Sequence, residues 1–195
     1  MKPSLKLILD SSTPTLFLGL IQGDHILGHH VEVLDRQHAE WMLPRIIQFL
    51  NRWQLQLADI TDVIVGHGPG SFTGVRLSLT LIKTLALLQP LQVYPINTLH
   101  LYAFHSPVIM LLDARGGRHY VAVYQGSKAL IAPHIVNETA LSEIKEQFPN
   151  VKSMTISDAI QEPEAVLQHL LKMNNSMIPI KDIQTLNPLY LKDLL

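Results

Sequence analysis

The chain opens with apolar runs too short to be helices. Leu5 to Leu9 stops at Asp10-Ser11-Ser12-Thr13-Pro14, a turn-forming cluster, and Thr15 to Ile21 stops at Gln22-Gly23-Asp24. Ile26 to Leu34 follows, with Val31 and Val33 alternating around Glu32. This pattern predicts a three-stranded meander. From Gln37 the period lengthens: Trp41, Ile46, Phe49, Leu50 and Trp53 recur as on one face of an amphipathic helix, and Pro44 inside it predicts a kink. Val63-Ile64-Val65 reads as a buried strand that runs directly into Gly66-His67-Gly68-Pro69-Gly70-Ser71-Phe72-Thr73-Gly74. Val75 to Leu88 is then a helix, apolar nearly all round and ended by Gln89-Pro90. Leu91 to Ile96 is a further strand, and Asn97 to Phe104 a short helix with Asn97 as its cap.

At Pro107 the order starts again. Val108 to Leu112 ends in Asp113, the glycines of a turn follow (Gly116, Gly117), and His119 to Gln125 is a strand. A third strand at 129 to 136, a helix at 138 to 147, a strand at 151 to 156 and a helix at 162 to 173 complete the second round. Asp10 precedes Phe17 by the same seven residues that separate Asp113 from Tyr120. Two rounds of three strands, helix, strand, helix predict a duplicated mixed α/β fold. The element order is that of the actin-like (ASKHA, ribonuclease H-like) two-lobed class, with residues 1–106 as the first lobe and 107–195 as a second, shortened lobe. Residues 178 to 195 read as a tail packed back onto the body.

Composition narrows the function. The 195 residues are 47 % apolar and 16 % charged, which places the chain among folded globular proteins. Fifteen Lys and Arg balance sixteen Asp and Glu, so no basic surplus marks the chain as gripping nucleic acid by itself. Cysteine is absent, which removes disulfides, thiolate metal sites and a Cys nucleophile. Asp10 interrupts the first apolar run, and no window approaches the roughly 20 apolar residues of a membrane span; a cytoplasmic chain without membrane contact is expected.

The Gly68 to Gly74 loop, between a strand and a helix, has the placement of an anion cradle, with Arg76 in the first helical turn. It lacks the Lys-Ser/Thr ending of a phosphate-binding loop, and a tight strand-to-helix turn is the competing reading. Ser71 does not fit a hydrolase elbow, because Pro69 and Thr73 stand where glycines belong. His25 and His29 have H-x-x-x-H spacing on a predicted strand, where four residues span roughly 13 Å, too far for one metal ion. Asp10 and Asp113 end the first strand of each round, as acidic residues near magnesium do in nucleotide-binding relatives of the fold class. The first turn, however, has no glycine, and a turn-stabilising Asp is the alternative.

Taken together, Leu9-Asp10-Ser11-Ser12, His38 with Leu43-Pro44, the whole Gly68 to Gly74 run, Arg76, Lys83, Asp113-Ala114-Arg115 with Tyr120, and Pro188-Leu189-Tyr190-Leu191 resemble the bacterial TsaB (YeaZ) family. The resemblance covers the first 125 residues by motif and the remainder by order of elements. It implies a non-catalytic subunit with no metal or cofactor of its own. Such a subunit pairs with TsaD, and with the ATPase TsaE, in transferring threonylcarbamoyl from threonylcarbamoyl-AMP to the adenosine beside the tRNA anticodon. The tRNA is met indirectly through the complex.

The resemblance further implies a heterodimer contact through first-lobe helices. Leu79, Ile82, Lys83 and Ala86 of the apolar helix, with Trp41 and Arg45 of the preceding one, are the expected partner-binding residues. Leu77, Leu81, Leu85 and Leu88 would then face the sheet. Gly68, Pro69, Gly70, Ser71, Phe72, Thr73, Gly74 and Arg76 are expected to form a conformational loop. The free chain could pair with itself through the same helix. An ATP-dependent small-molecule kinase of the same fold is the alternative function, and a Ser71 peptidase a third.

Overall fold

All six residues of β1 (Leu5–Asp10) are buried, as the central strand of a sheet requires. The computed structural model describes residues 3–173 and 176–191. β2 (Thr15–Gln22) and β3 (His25–Val33) follow β1 as antiparallel neighbours, α1 (His38–Asn51) runs unbroken through Pro44, and β4 (Asp62–Gly66) returns parallel to β1. α2 (Phe72–Leu88) crosses to β5 (Gln92–Ile96), giving the sheet order β3-β2-β1-β4-β5. α3 (Thr98–Leu101) is capped by the Asn97 side chain, which accepts from the Leu99 amide at 2.9 Å.

The second round repeats the first without a fifth strand. β6 (Val108–Asp113), β7 (Arg118–Gln125), β8 (Lys128–Asn137) and β9 (Lys152–Thr155) form the sheet β8-β7-β6-β9, again two antiparallel pairings and one parallel. α4 (Glu138–Gln147), the one-turn α5 (Ile156–Ala159) and α6 (Pro163–Met173) complete it. The helix foreseen at 162 to 173 is α6. α5 escapes periodicity because four residues do not complete two turns. This is the duplicated mixed-sheet α/β architecture that the element order implies.

Side-chain alternation divides the core. Leu5, Leu7 and Leu9 of β1 face α1 and α2, while Ile8 faces the space between the sheets, where Phe17, Tyr102, Met110, Tyr124 and Leu167 meet. In β6, Val108 and Met110 face that shared core, and Ile109 and Leu111 pack against α4 on the far side. Asp10 therefore continues the inward set of β1, whereas Asp113 continues the outward set of β6. The chain beyond α6 returns to the first sheet and places Leu186 in the α1–α2 core. Among the described residues no helix is long and apolar enough to cross a membrane.

Candidate functional site

The Gly68 to Gly74 loop is built against the Asp10 to Thr13 turn. The Ser71 amide donates to the Ser12 carbonyl at 2.6 Å, and the Ser11 hydroxyl donates to the Gly74 carbonyl at 2.8 Å. A Cβ on Gly70 would meet Ser12, and one on Gly74 would meet the Ser11 carbonyl. The glycines at these two positions thus serve close approach of one turn to another. Ser71 caps α2, its hydroxyl accepting from the Gly74 amide at 3.2 Å. The amides of Ser71 and Gly74 are both engaged, so the loop is a packed strand-to-helix turn with Ser71 as structural cap. Phe72 remains 56 % exposed, with the Arg76 guanidinium 4.3 Å from its ring centroid and the Tyr190 ring stacked at 5.6 Å.

Asp10 sits beneath that turn, fully buried. One carboxylate oxygen accepts from the Ser12 hydroxyl at 2.8 Å and the Tyr102 hydroxyl at 3.0 Å. Burial pushes its pKa up to about 6, with the hydroxyl and amide donors pulling the other way. Burial and the neighbouring carboxylate in turn push the Tyr102 phenol upward. Asp113, by contrast, is exposed, and one of its oxygens accepts from the Arg115 amide at 2.7 Å in a local turn. The two aspartates also differ in register: Asp10 pairs with Phe17, but Asp113 pairs with His119 and Leu112 with Tyr120. The equal spacing seen in the sequence is a likeness of topology without equivalence of position.

Both turns open on a cleft of about 730 Å³ at the C-terminal ends of β1, β6 and β9. Its walls carry Asp35, Arg36, Asp113, Arg115, Ser71 and Tyr120, a charge-balanced set. The His38 Nδ1–H donates to the Asp35 carbonyl at 2.9 Å, and burial lowers the imidazole pKa. His25 and His29 lie on β3, and among the described residues no three His, Asp or Glu come together to hold a metal ion.

The expected partner-binding residues separate into three places. Leu79 and Ile82 are 3 % and 0 % exposed, inside the core with Val75, Leu85 and Leu186, which corrects the expectation that they face outward. Gly74, Ser78 and Ile82, four apart, mark the inward arc, where small residues let α2 approach the Ser11 turn. Lys83 and Ala86 flank the returning chain, the Lys83 ammonium donating to the Gln184 carbonyl at 3.3 Å and Ala86 lying beside Pro179 and Ile183. Trp41 and Arg45 are half-buried on α1, with Arg45 gripping Glu32 at 2.6 and 2.9 Å and lying over the Trp41 ring at 4.8 Å.

The outward faces are carried by other residues. Leu43 and Ile47 of α1 are about two-fifths exposed, and Leu87 and Leu88 of α2 are 72 % and 77 % exposed. Leu77 and Leu81 are half-buried beside them. The Leu43–Ile47 spacing of four was a readable signal for an outward apolar stripe on α1.

The family described as "TsaD: tRNA N6-adenosine threonylcarbamoyltransferase" matches residues 25–185. The chain is similar to the "tRNA threonylcarbamoyladenosine biosynthesis protein TsaB" of Haemophilus influenzae, 30 % identical over 176 residues, covering 86 % of this chain and 68 % of that one. It is also 28 % identical over 140 residues to the protein of the same description from Bacillus subtilis, covering 69 % of this chain and 61 % of the relative. The match thus spans less than two thirds of that relative's length. The solved structure "YeaZ from Pseudomonas aeruginosa" superposes with a TM-score of 0.75 at 21 % identity, covering 96 % of this chain and all of that one.

Proposed function

Because this chain belongs to the TsaB (YeaZ) family, we propose that it is the accessory, non-catalytic subunit of a tRNA threonylcarbamoyladenosine-forming complex, docking on TsaD and making it active. The observation that supports this reading is the exposure of apolar side chains on α1 and α2: Leu43, Ile47, Leu87 and Leu88 on two adjacent helices of one sheet face. Exposed apolar side chains grouped in this way mark interaction surfaces. In this reading residues 1–106 are the docking lobe, residues 107–195 the shortened second lobe, and the compartment is the cytoplasm. The free chain pairs with itself through the same face when TsaD is absent. TsaE and tRNA join through the complex.

The cleft fits an accessory role. Asp10, the carboxylate that would face magnesium in a kinase of this fold, is buried beneath the turn and accepts from Ser12 and Tyr102. The Ser71 hydroxyl caps a helix. The test is reconstitution: TsaD, TsaE, tRNA and threonylcarbamoyl-AMP with and without this chain, and this chain alone. The proposal expects tRNA modification to need both TsaD and this chain, with no turnover of nucleotide or ester by the chain alone. Nucleotide turnover by the isolated chain would support the kinase instead.

A further inference from the structure

After α6 the chain leaves the space between the sheets, passes the free edge of β5 and reaches the outer face of the first sheet. The Ile180 amide donates to the Val93 carbonyl at 2.8 Å, extending β5 as a further strand would. A 3-10 turn at Ile183–Thr185, capped by Asp182, then lies beside α2. Leu186 is its one fully buried anchor, 2 % exposed among the core residues of α1 and α2. Finally the Leu189 amide donates to the His67 carbonyl at 2.7 Å, and Tyr190 stacks on Phe72. A Cβ on Gly68 would come within 2.9 Å of the Leu189 carbonyl, so the Gly68 to Gly74 loop is shaped to receive this segment.

Between these anchors the fit is open. A groove of about 430 Å³ runs beside Pro179 to Ile183, and a cavity of about 60 Å³ lies beneath Pro188 to Leu191. Ile178 at the start is 81 % exposed. Besides these main-chain bonds, the Lys83 ammonium donates to the Gln184 carbonyl at 3.3 Å in an exposed contact, the His67 ring bonds to the Asn187 backbone, and Ile180 and Ile183 pack partly buried against the first-sheet core. With one fully buried side chain and gaps on either side, the segment still has fewer contacts than the strands it lies on, as a unit that opens before the fold does.

We propose that residues 178–191 are a detachable clasp: an extended apolar segment occupying a groove formed by the β5 edge, the flank of α2 and the 68–74 loop, and opening as one unit below global unfolding. While closed, it joins the second half of the chain to the outer face of the first sheet and holds the loop against the Ser12 turn. While open, it frees the β5 edge and the Lys83–Ala86 flank of α2 for an extended peptide of the same character. The clasp concerns contacts within this chain and does not depend on which partner docks on the outward stripe of α1 and α2.

Hydrogen exchange followed by NMR on the full chain tests it. In the wild-type protein the Ile180 and Leu189 amides are expected to share one opening equilibrium, less protected than the β1 and β4 amides and less sensitive to urea. In Leu186→Asp both amides are expected to lose protection together while β1 and β4 remain protected, and exchange at the Ser71 amide is expected to rise about tenfold or more. Different opening equilibria for Ile180 and Leu189 in the wild type would overturn the clasp. So would retained protection of Leu189 in Leu186→Asp, or loss of protection throughout β1 and β4, because the segment would then be either loosely independent or an integral part of the core.

Discussion

Replacing Asp10 with Asn should make this protein more stable at neutral pH. The carboxyl is fully buried, and burial raises its pKa from 3.8 to about 6. At about 1.4 kcal/mol per pKa unit, keeping it ionised at pH 7 costs about 3 kcal/mol relative to the unfolded chain. An amide of the same shape carries no charge to desolvate, and the Ser12 and Tyr102 hydroxyls can still bond it. Allowing about 2 kcal/mol for weaker hydrogen bonds to a neutral group and for an NH2 group that now faces the Ser11 and Ser12 amides, Asp10→Asn gains about 1 kcal/mol at pH 7. The sign with pH is fixed: the folded pKa lies above the unfolded one, so the penalty is absent below about 4, grows between about 4 and 6, and is complete above.

The difference between variant and wild type must be measured, because His169 works in the opposite sense. Its pKa falls from 6.5 to about 4, chiefly through burial, so its contribution is complete above about 6.5 and is lost as the pH drops towards 4. Over that window the two effects oppose each other, and His38, His67 and His100, whose pKa values burial also lowers, add to the His169 side. Urea unfolding of both proteins at half-unit steps from pH 4 to 8 isolates the Asp10 contribution. An Asp10→Asn protein less stable than wild type by the same amount at pH 4 and pH 7 would refute the reasoning and indicate a carboxylate stabilised by its surroundings.

Other substitutions probe the remaining packing. Gly74→Ala drives a methyl group into the Ser11 carbonyl and is expected to lower stability by about 2 kcal/mol or more, read as a lower urea midpoint with unchanged slope. Ile82→Glu buries a carboxylate in the core against the first sheet, so the monomer itself should fail to unfold cooperatively, as circular dichroism would report. His169→Phe should reduce the loss in stability between pH 6.5 and 4, the remainder belonging to groups such as His38, His67 and His100, and an unchanged acid limb would show that His169 takes no part in it.

Element type was legible wherever period and punctuation agreed. The boundaries of α4, the Asn97 cap and the repeated strand order follow from local residues alone. The orientation of α2 was not legible, because a helix with apolar residues on both arcs gives periodicity no inward side. The tertiary cue is the close approach of Gly74 to Ser11, 63 positions away in the chain. The glycine loop could be recognised as a unit, but its purpose depends on the turn it packs against. Asp10 and Asp113 have the same local setting and opposite burial, since one ends on the inward parity of its strand and the other on the outward parity. Tyr102, which completes the Asp10 site, comes from 92 residues downstream and carries no local signal.

The most direct test of the account is a titration of TsaD with this chain, wild type against the double variant Ile47→Glu/Leu88→Glu. Both positions are substantially exposed on the outer helices, so urea unfolding of the variant should match the wild type within about 1 kcal/mol. The account predicts that affinity for TsaD falls by about a hundredfold or more, with tRNA modification falling in step. Unchanged affinity for TsaD from an equally stable variant would contradict it, and docking would have to lie on another face of the molecule.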